Sequence, residues 1–397
     1  MFVEIDNTPR DYAWGSVHAI AELLGRPASG RPEAEMWYGA HPMSPSVIVN
    51  PHDESGANNL AELLGRGSEQ LPFLLKVLAA ETALSIQVHP SMAQAQAGFA
   101  GENAVGIPMD APHRNYRDAS HKPELIFCVS DTFDALCGIR ALTDTIDSLR
   151  AFVSEATAAE ISSDRITALI ATLTASESDV RDAVAGLLSG DPDDVSALVR
   201  QLVAIAAFAG PTSRIDRDAS TVRMLSAEYP GDPGIVVAFL MNRVTLRKGE
   251  ALFVPHGVLH AYLNGLGIEI MAASDNVLRG GLTAKHVDVD ELMRVGVFAP
   301  TTPSIVTPEL VGPGVQRFAP GVAEFELLHV TIADSASPAG IRLDGPSIVL
   351  CTAGHAHVSG LHTDGDIRRG QAWFVTSDEE TLRITGNAEL FVARTGR

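Results

Sequence analysis

The sequence predicts a mainly β protein with an α-helical insertion, built as two related jelly-roll barrels plus a helical domain. Three observations carry that expectation. Strand-like runs broken by glycine and proline turns fill residues 1–138 and resume near residue 242. Between them, residues 141 to about 239 place apolar side chains at helical spacing and contain no histidine. A strand, a charged glycine turn (Arg247-Lys248-Gly249-Glu250) and a second strand at 242–255 recur at 367–375 around Arg368-Arg369-Gly370-Gln371. That second copy covers roughly 307–397.

A chain of 397 residues exceeds what one hydrophobic core usually organises, so two or three domains are expected. With 46% apolar and 20% charged residues, a packed, enzyme-sized body is affordable. The net charge of -20 repels nucleic acid and anionic membranes, so neither is expected as a partner. An anionic substrate therefore requires a local cluster of Lys and Arg. Cys128, Cys137 and Cys351 are odd in number and lie in apolar contexts, which suits a reduced cytosol. No charged-then-apolar leader and no membrane-length apolar window appear, so the expected location is cytoplasmic.

In chain order, Tyr12-Ala13-Trp14-Gly15-Ser16 reads as an aromatic turn and 35–41 as a strand entering another turn, with Trp14 and Trp37 suited to core or pocket wall alike. Residues 71–90 set Lys76 in an apolar run and then alternate, putting Ser85, Gln87 and His89 on one strand face. Gln87 and His89 can thus reach one ion, and Glu124, opening a strand after Pro123, can add a carboxylate; His113 and His121 are rival ligands. The helical stretch repeats Ile146, Leu149, Phe152, Val153, then Ile166, Leu169, Ile170, Leu173, and Asp191 caps a further helix reaching Phe208. Its role is packing or lid formation.

Residues 254–283 are the densest in chemistry, with His256, His260, Glu269, Ser274, Asp275, Asn276 and Arg279 set among apolar residues and glycines. Ionisable groups buried there need a partner, a metal or a substrate. In the C-terminal copy His355 and His357 share a strand face, but no Glu follows at a matching distance, so they are expected to be exposed.

The blocks YAWGS, AEMWYGAHP, LPFLLKVL, LSIQVHP, NYRDASHKPEL, ALCGIR and HAYLNGLGIEIMAASDNVLRGGLTAKH together resemble the type I phosphomannose isomerases, zinc enzymes of the cupin superfamily. The resemblance covers residues 1–140 and 240–290 well and the rest by general layout. It implies a catalytic cupin barrel from residues 1–140 and 241–306, a helical insertion at 141–240, and a metal-free cupin-like barrel at 307–397. It implies one zinc per chain on Gln87, His89, Glu124 and His260. Arg279 matches the family's catalytic arginine, Lys122 and Glu269 match acid or base helpers, and Asp275 a further polar site residue. Ser85, Lys76 and Lys285 lie where the substrate phosphate would be received, with Trp14 at the substrate site. His256 before the ligand histidine, and Ala284 in place of a common proline, are modest departures.

The implied reaction interconverts mannose 6-phosphate and fructose 6-phosphate through a cis-enediol, which needs a stabilised oxyanion and a base of matched pKa. Sequence leaves Glu269, Lys122 and Asp275 open as that base. The expected partner is a small phosphorylated sugar, the expected assembly a monomer or weak homo-oligomer. A cupin oxygenase and a non-catalytic sugar-phosphate-binding cupin are the rival readings; the Gln ligand disfavours the first and intact Lys122, Glu124, Glu269 and Arg279 the second.

Overall fold

The computed structural model describes residues 1–50, 56–67, 69–175, 180–333 and 338–396. Two large sheets, antiparallel between their named strands, and a run of helices between them in sequence make up the chain. The first sheet is organised on the 13-residue strand His260–Ala272. The C-terminal half of that strand pairs with Phe73–Ala80 and Glu124–Cys128, its beginning with Gln87–Val88 and Thr132–Ile139. Phe73–Ala80 is buried at every position, the consequence of an apolar run with no polar alternation beyond Lys76.

The second sheet is built on the long pair Ser347–Ser359 and Thr381–Arg394. Its other members include Phe2–Asp6, which pairs with Ala372–Val375 in the register Phe2 to Val375. The chain therefore begins in the same sheet in which it ends. A shared core of Ile5, Leu75, Phe127, Ile270, Phe318, Ile348 and Phe391 joins the two sheets.

The echoed turns are built alike. Gly249 and Gly370 adopt φ of 89° and 87°, a left-handed conformation that favours glycine. Gly249 N donates to Cys128 O at 2.9 Å and Gly370 N to Cys351 O at 2.8 Å. Arg247 N donates to the Glu250 carboxylate, and Arg368 N to the Gln371 amide oxygen, both at 2.8 Å.

Helices Leu142–Ala158, Asp164–Thr174, Val180–Ser189, Pro192–Phe208, Asp216–Glu228 and Gly234–Phe239 follow the predicted spacing. The Asp191 carboxylate accepts from the amides of Asp193 and Asp194, as the cap requires. Their apolar faces, including Phe152, Leu202 and Leu225, share a core with Ile86, Val88, Leu259 and Leu263 of the first sheet. They thus back the strands whose intervening residues are Gln87, His89 and His260.

The opening third departs from the expectation of strands and turns. It holds helices Ala19–Leu24, Leu60–Arg66 and Met92–Ala104. The last buries only Ala95, so no apolar stripe announces it, but Ser91 and Gln94 form a capping box. Among the described residues no helix is long and apolar enough to cross a membrane.

Candidate metal centre and adjoining cleft

Antiparallel pairing sets directly opposed residues on one face. His260 lies opposite Gln87, and Gln87 opposite Arg279, so ring, amide and guanidinium form one row. A second row runs Trp37, Lys76, Glu269, Ile126. Glu124 shares the face of Ile126 by strand alternation.

His89, Glu124 and His260 are buried, and their ligating atoms lie within 4.8 Å of one another. Each imidazole Nε2 is 3.3 Å from a different oxygen of Glu124. The ring orientations are fixed from behind. His89 Nδ1 is 2.7 Å from the Asn276 carbonyl and His260 Nδ1 is 3.0 Å from that of Val258. A carbonyl only accepts, so each Nδ1 carries a proton, and in a neutral ring the Nε2 lone pair then faces the cluster. His89 Nε2 is buried with no hydrogen-bond partner. Burial, against the pull of Glu124, lowers the His89 pKa to about 4, so the ring is neutral. Glu124 is held well below the carboxylate range; burial opposes this, and the charge of Lys122, 3.0 Å away, leads the interactions that outweigh it. Two imidazoles with Nε2 turned inward, an ionised carboxylate and the amide of Gln87 fit a divalent cation such as zinc.

A cleft of about 570 Å³ opens onto this centre, with Trp14, Lys76, Ser85, Gln87, Lys122, Asp275, Arg279 and Lys285 among its lining residues. It adjoins a recess of about 50 Å³ bounded by Glu124, His260, Tyr262 and Glu269. Lys76 is buried and pairs with Glu269 at 3.0 Å and Glu35 at 3.5 Å, 5.1 Å from the centre of the Trp37 ring. Burial raises the Glu269 pKa, Lys76 pulls it back, and the charge of Glu124 adds to the rise. Asp275 is lowered: burial works against this, and His41, 3.1 Å away, prevails.

The twelve residues to which the family resemblance assigns a role border this centre, cleft or recess, whereas His256 is exposed and Ser274 and Asn276 lie outside their linings. The rival ligands do not join them. His121 pairs with Glu324 at 2.7 Å, and the His113 ring faces that of His286. His355 is exposed, and His357 pairs with Asp366 at 2.9 Å. Sequence reading missed Glu35, His41, Arg117 and Tyr262. Arg117 stood in the quoted NYRDASHKPEL block, and its charge was the available signal. Glu35 and His41 gain their meaning only from partners distant in sequence.

Fold and site together define a metal-binding enzyme site beside a cleft with cationic walls. The family profile for the type I phosphomannose isomerase catalytic domain matches residues 2–142. Mannose-6-phosphate isomerase of Salmonella typhimurium is 33% identical, over 97% of each chain, and that of Escherichia coli 31%, also over 97% of each. A crystal structure of zinc-bound mannose 6-phosphate isomerase superposes with a TM-score of 0.86 at 31% identity, covering 100% of both chains. The chain belongs to the type I phosphomannose isomerase family.

Proposed function

We propose that this chain is a zinc-dependent isomerase interconverting mannose 6-phosphate and fructose 6-phosphate through a cis-enediol. One observation carries the reading: two imidazoles with locked tautomers and one ionised carboxylate converge beside a cleft with cationic walls. Gln87, His89, Glu124 and His260 would hold one zinc, and a cation held there would supply Lewis acidity to the sugar's carbonyl end.

The protein's own groups do the rest. Arg279, opposite Gln87 in the sheet, offers a fixed positive charge to the developing enediolate oxygen. Glu269, whose pKa burial raises, moves the proton between C2 and C1, accepting it from one carbon and returning it to the other. Lys122 steadies Glu124 and donates to a sugar oxygen. Asp275, kept ionised by His41, orients a hydroxyl. Trp14 and Ser85 wall the sugar, Lys285 meets the phosphate, and Lys76, engaged by two carboxylates, holds Glu269 in place.

The same reading assigns residues 1–140 and 241–306 to a catalytic cupin barrel, 141–240 to a helical domain and 307–397 to a second barrel without metal. The matched turns support the repeat. Aligned through Cys128 and Cys351, Ser347 stands where Glu124 stands, which removes the carboxylate ligand from the second copy.

The test is a zinc analysis paired with a coupled mannose 6-phosphate assay. The expected result is about one zinc per chain with turnover, both lost together in His260→Ala. Full zinc in that variant reassigns the ligand, and metal-replete protein without isomerase activity overturns the function.

A further inference from the structure

The charges of the cleft fall into two groups. On one side each has an answer: Lys76 by Glu35 and Glu269, Lys122 by Glu124, Asp275 by His41. Arg114 turns into its own loop, donating to the Tyr116 carbonyl at 2.7 Å beside Glu102 at 3.6 Å. Arg117, Arg279 and Lys285 line the same cleft, and among the described residues none of these three makes an ion pair.

Like charges brought together repel, more strongly where the surroundings are partly dry. Arg279 and Lys285 show the effect. Burial lowers both pKa values; the charge of Arg117 lowers that of Arg279 further, and the charges of Arg279 and then Arg117 lower that of Lys285. Arg117 is not there by accident of a loose loop. Its amide donates to the buried Asn276 side chain at 2.7 Å, and its Nη1 donates to the Met109 carbonyl at 2.9 Å. A chain of net charge -20 has carboxylates in surplus, yet among the described residues none forms an ion pair with this trio. An arriving polyanion relieves the repulsion, and a phosphate dianion matches both the charge and the two-pronged geometry of a guanidinium.

We propose that Arg117 is a specificity-determining residue that, with Lys285, grips the phosphate of the substrate. The assignment rests on the sugar-phosphate reading above and adds to it a residue outside the metal centre. It also fixes the direction of binding. The phosphate lies at the Arg117 side of the cleft, and the carbonyl carbon lies at the metal cluster.

The experiment compares wild type, Arg117→Gln, Arg117→Lys and Lys285→Gln in two measurements. One is steady-state kinetics with mannose 6-phosphate; the other is direct calorimetric binding of inorganic phosphate to zinc-loaded protein. Arg117→Gln should raise KM about 10- to 100-fold with a much smaller change in kcat, and weaken phosphate binding by a similar factor. Arg117→Lys should recover much of both, and Lys285→Gln should repeat the pattern. Unchanged KM and phosphate affinity in Arg117→Gln overturn the assignment, as does a fall in kcat with KM intact. A thermal melt and zinc content equal to wild type exclude misfolding, and Lys285→Gln supplies the second arm. Wild type that binds phosphate through Arg117 but does not isomerise the sugar sinks the proposed function and leaves the anion site standing.

Discussion

Asn276 ties the metal centre to the loop that brings in Lys122, and its removal tests whether that tie matters. Its side chain is fully buried. The amide oxygen accepts from Arg117 N at 2.7 Å and Asp118 N at 3.3 Å, and the amide nitrogen donates to the carbonyls of Asp118 and Ser120, both at 2.8 Å. Its own carbonyl holds His89 Nδ1 at 2.7 Å. A fifth bond runs from the amide nitrogen to the Asp118 carboxylate at 3.2 Å, so Asn276→Ala deletes five side-chain bonds at about 1 kcal/mol each and the site should lose about 4–5 kcal/mol. Asn276→Asp keeps the acceptor, loses the donors and sets a carboxylate beside Asp118, so it should cost a comparable amount. The assay is urea unfolding of zinc-free and zinc-loaded protein together with a competitive zinc titration. Zinc affinity should fall about 10- to 100-fold, because the support behind His89 and the 117–122 loop loosens together. A stability within about 1 kcal/mol of wild type combined with unchanged zinc affinity would refute the argument.

Arg279→Ala should retain zinc while kcat falls at least about 100-fold; near-normal turnover removes it from the mechanism. Lys76→Met leaves Glu35 and Glu269 buried without their shared cation, so it should destabilise by about 3–5 kcal/mol, and adding Glu35→Gln and Glu269→Gln should restore part of this in thermal melts. Burial raises the thiols of Cys128 and Cys351 to about 11 and that of Cys137 to about 12, so native protein at pH 8 should resist an aromatic disulfide reagent and release three thiols only on unfolding. Rapid labelling of folded protein would show that these sites open.

Strand alternation is local, so a period of two was enough to group Ser85, Gln87 and His89, while His260 and the four-ligand set came from the family resemblance. What was not local stayed hidden. That His260 faces Gln87, and that Lys76 faces Glu269, are facts of strand register, which no single segment encodes. His121 looked as good a ligand as His89, and only tertiary structure turns it toward Glu324 instead. The helices between residues 141 and 239 were legible from apolar spacing, whereas Met92–Ala104, with one buried residue, carried its signal solely in its cap. Pairing of Phe2–Asp6 with Ala372–Val375 joins opposite ends of the chain, beyond any pattern read in a window.

That last pairing has a consequence for biosynthesis. A nascent chain can pair Phe2–Asp6 with Val47–Ile48 early, but the other edge of that strand must wait until residues 372–375 have left the ribosome. Closure of this edge is thus timed by translation itself. Extensions or fusions placed ahead of Phe2 act on the final docking event, and their cost should appear as slowed maturation and aggregation during expression more than as altered chemistry in the finished protein.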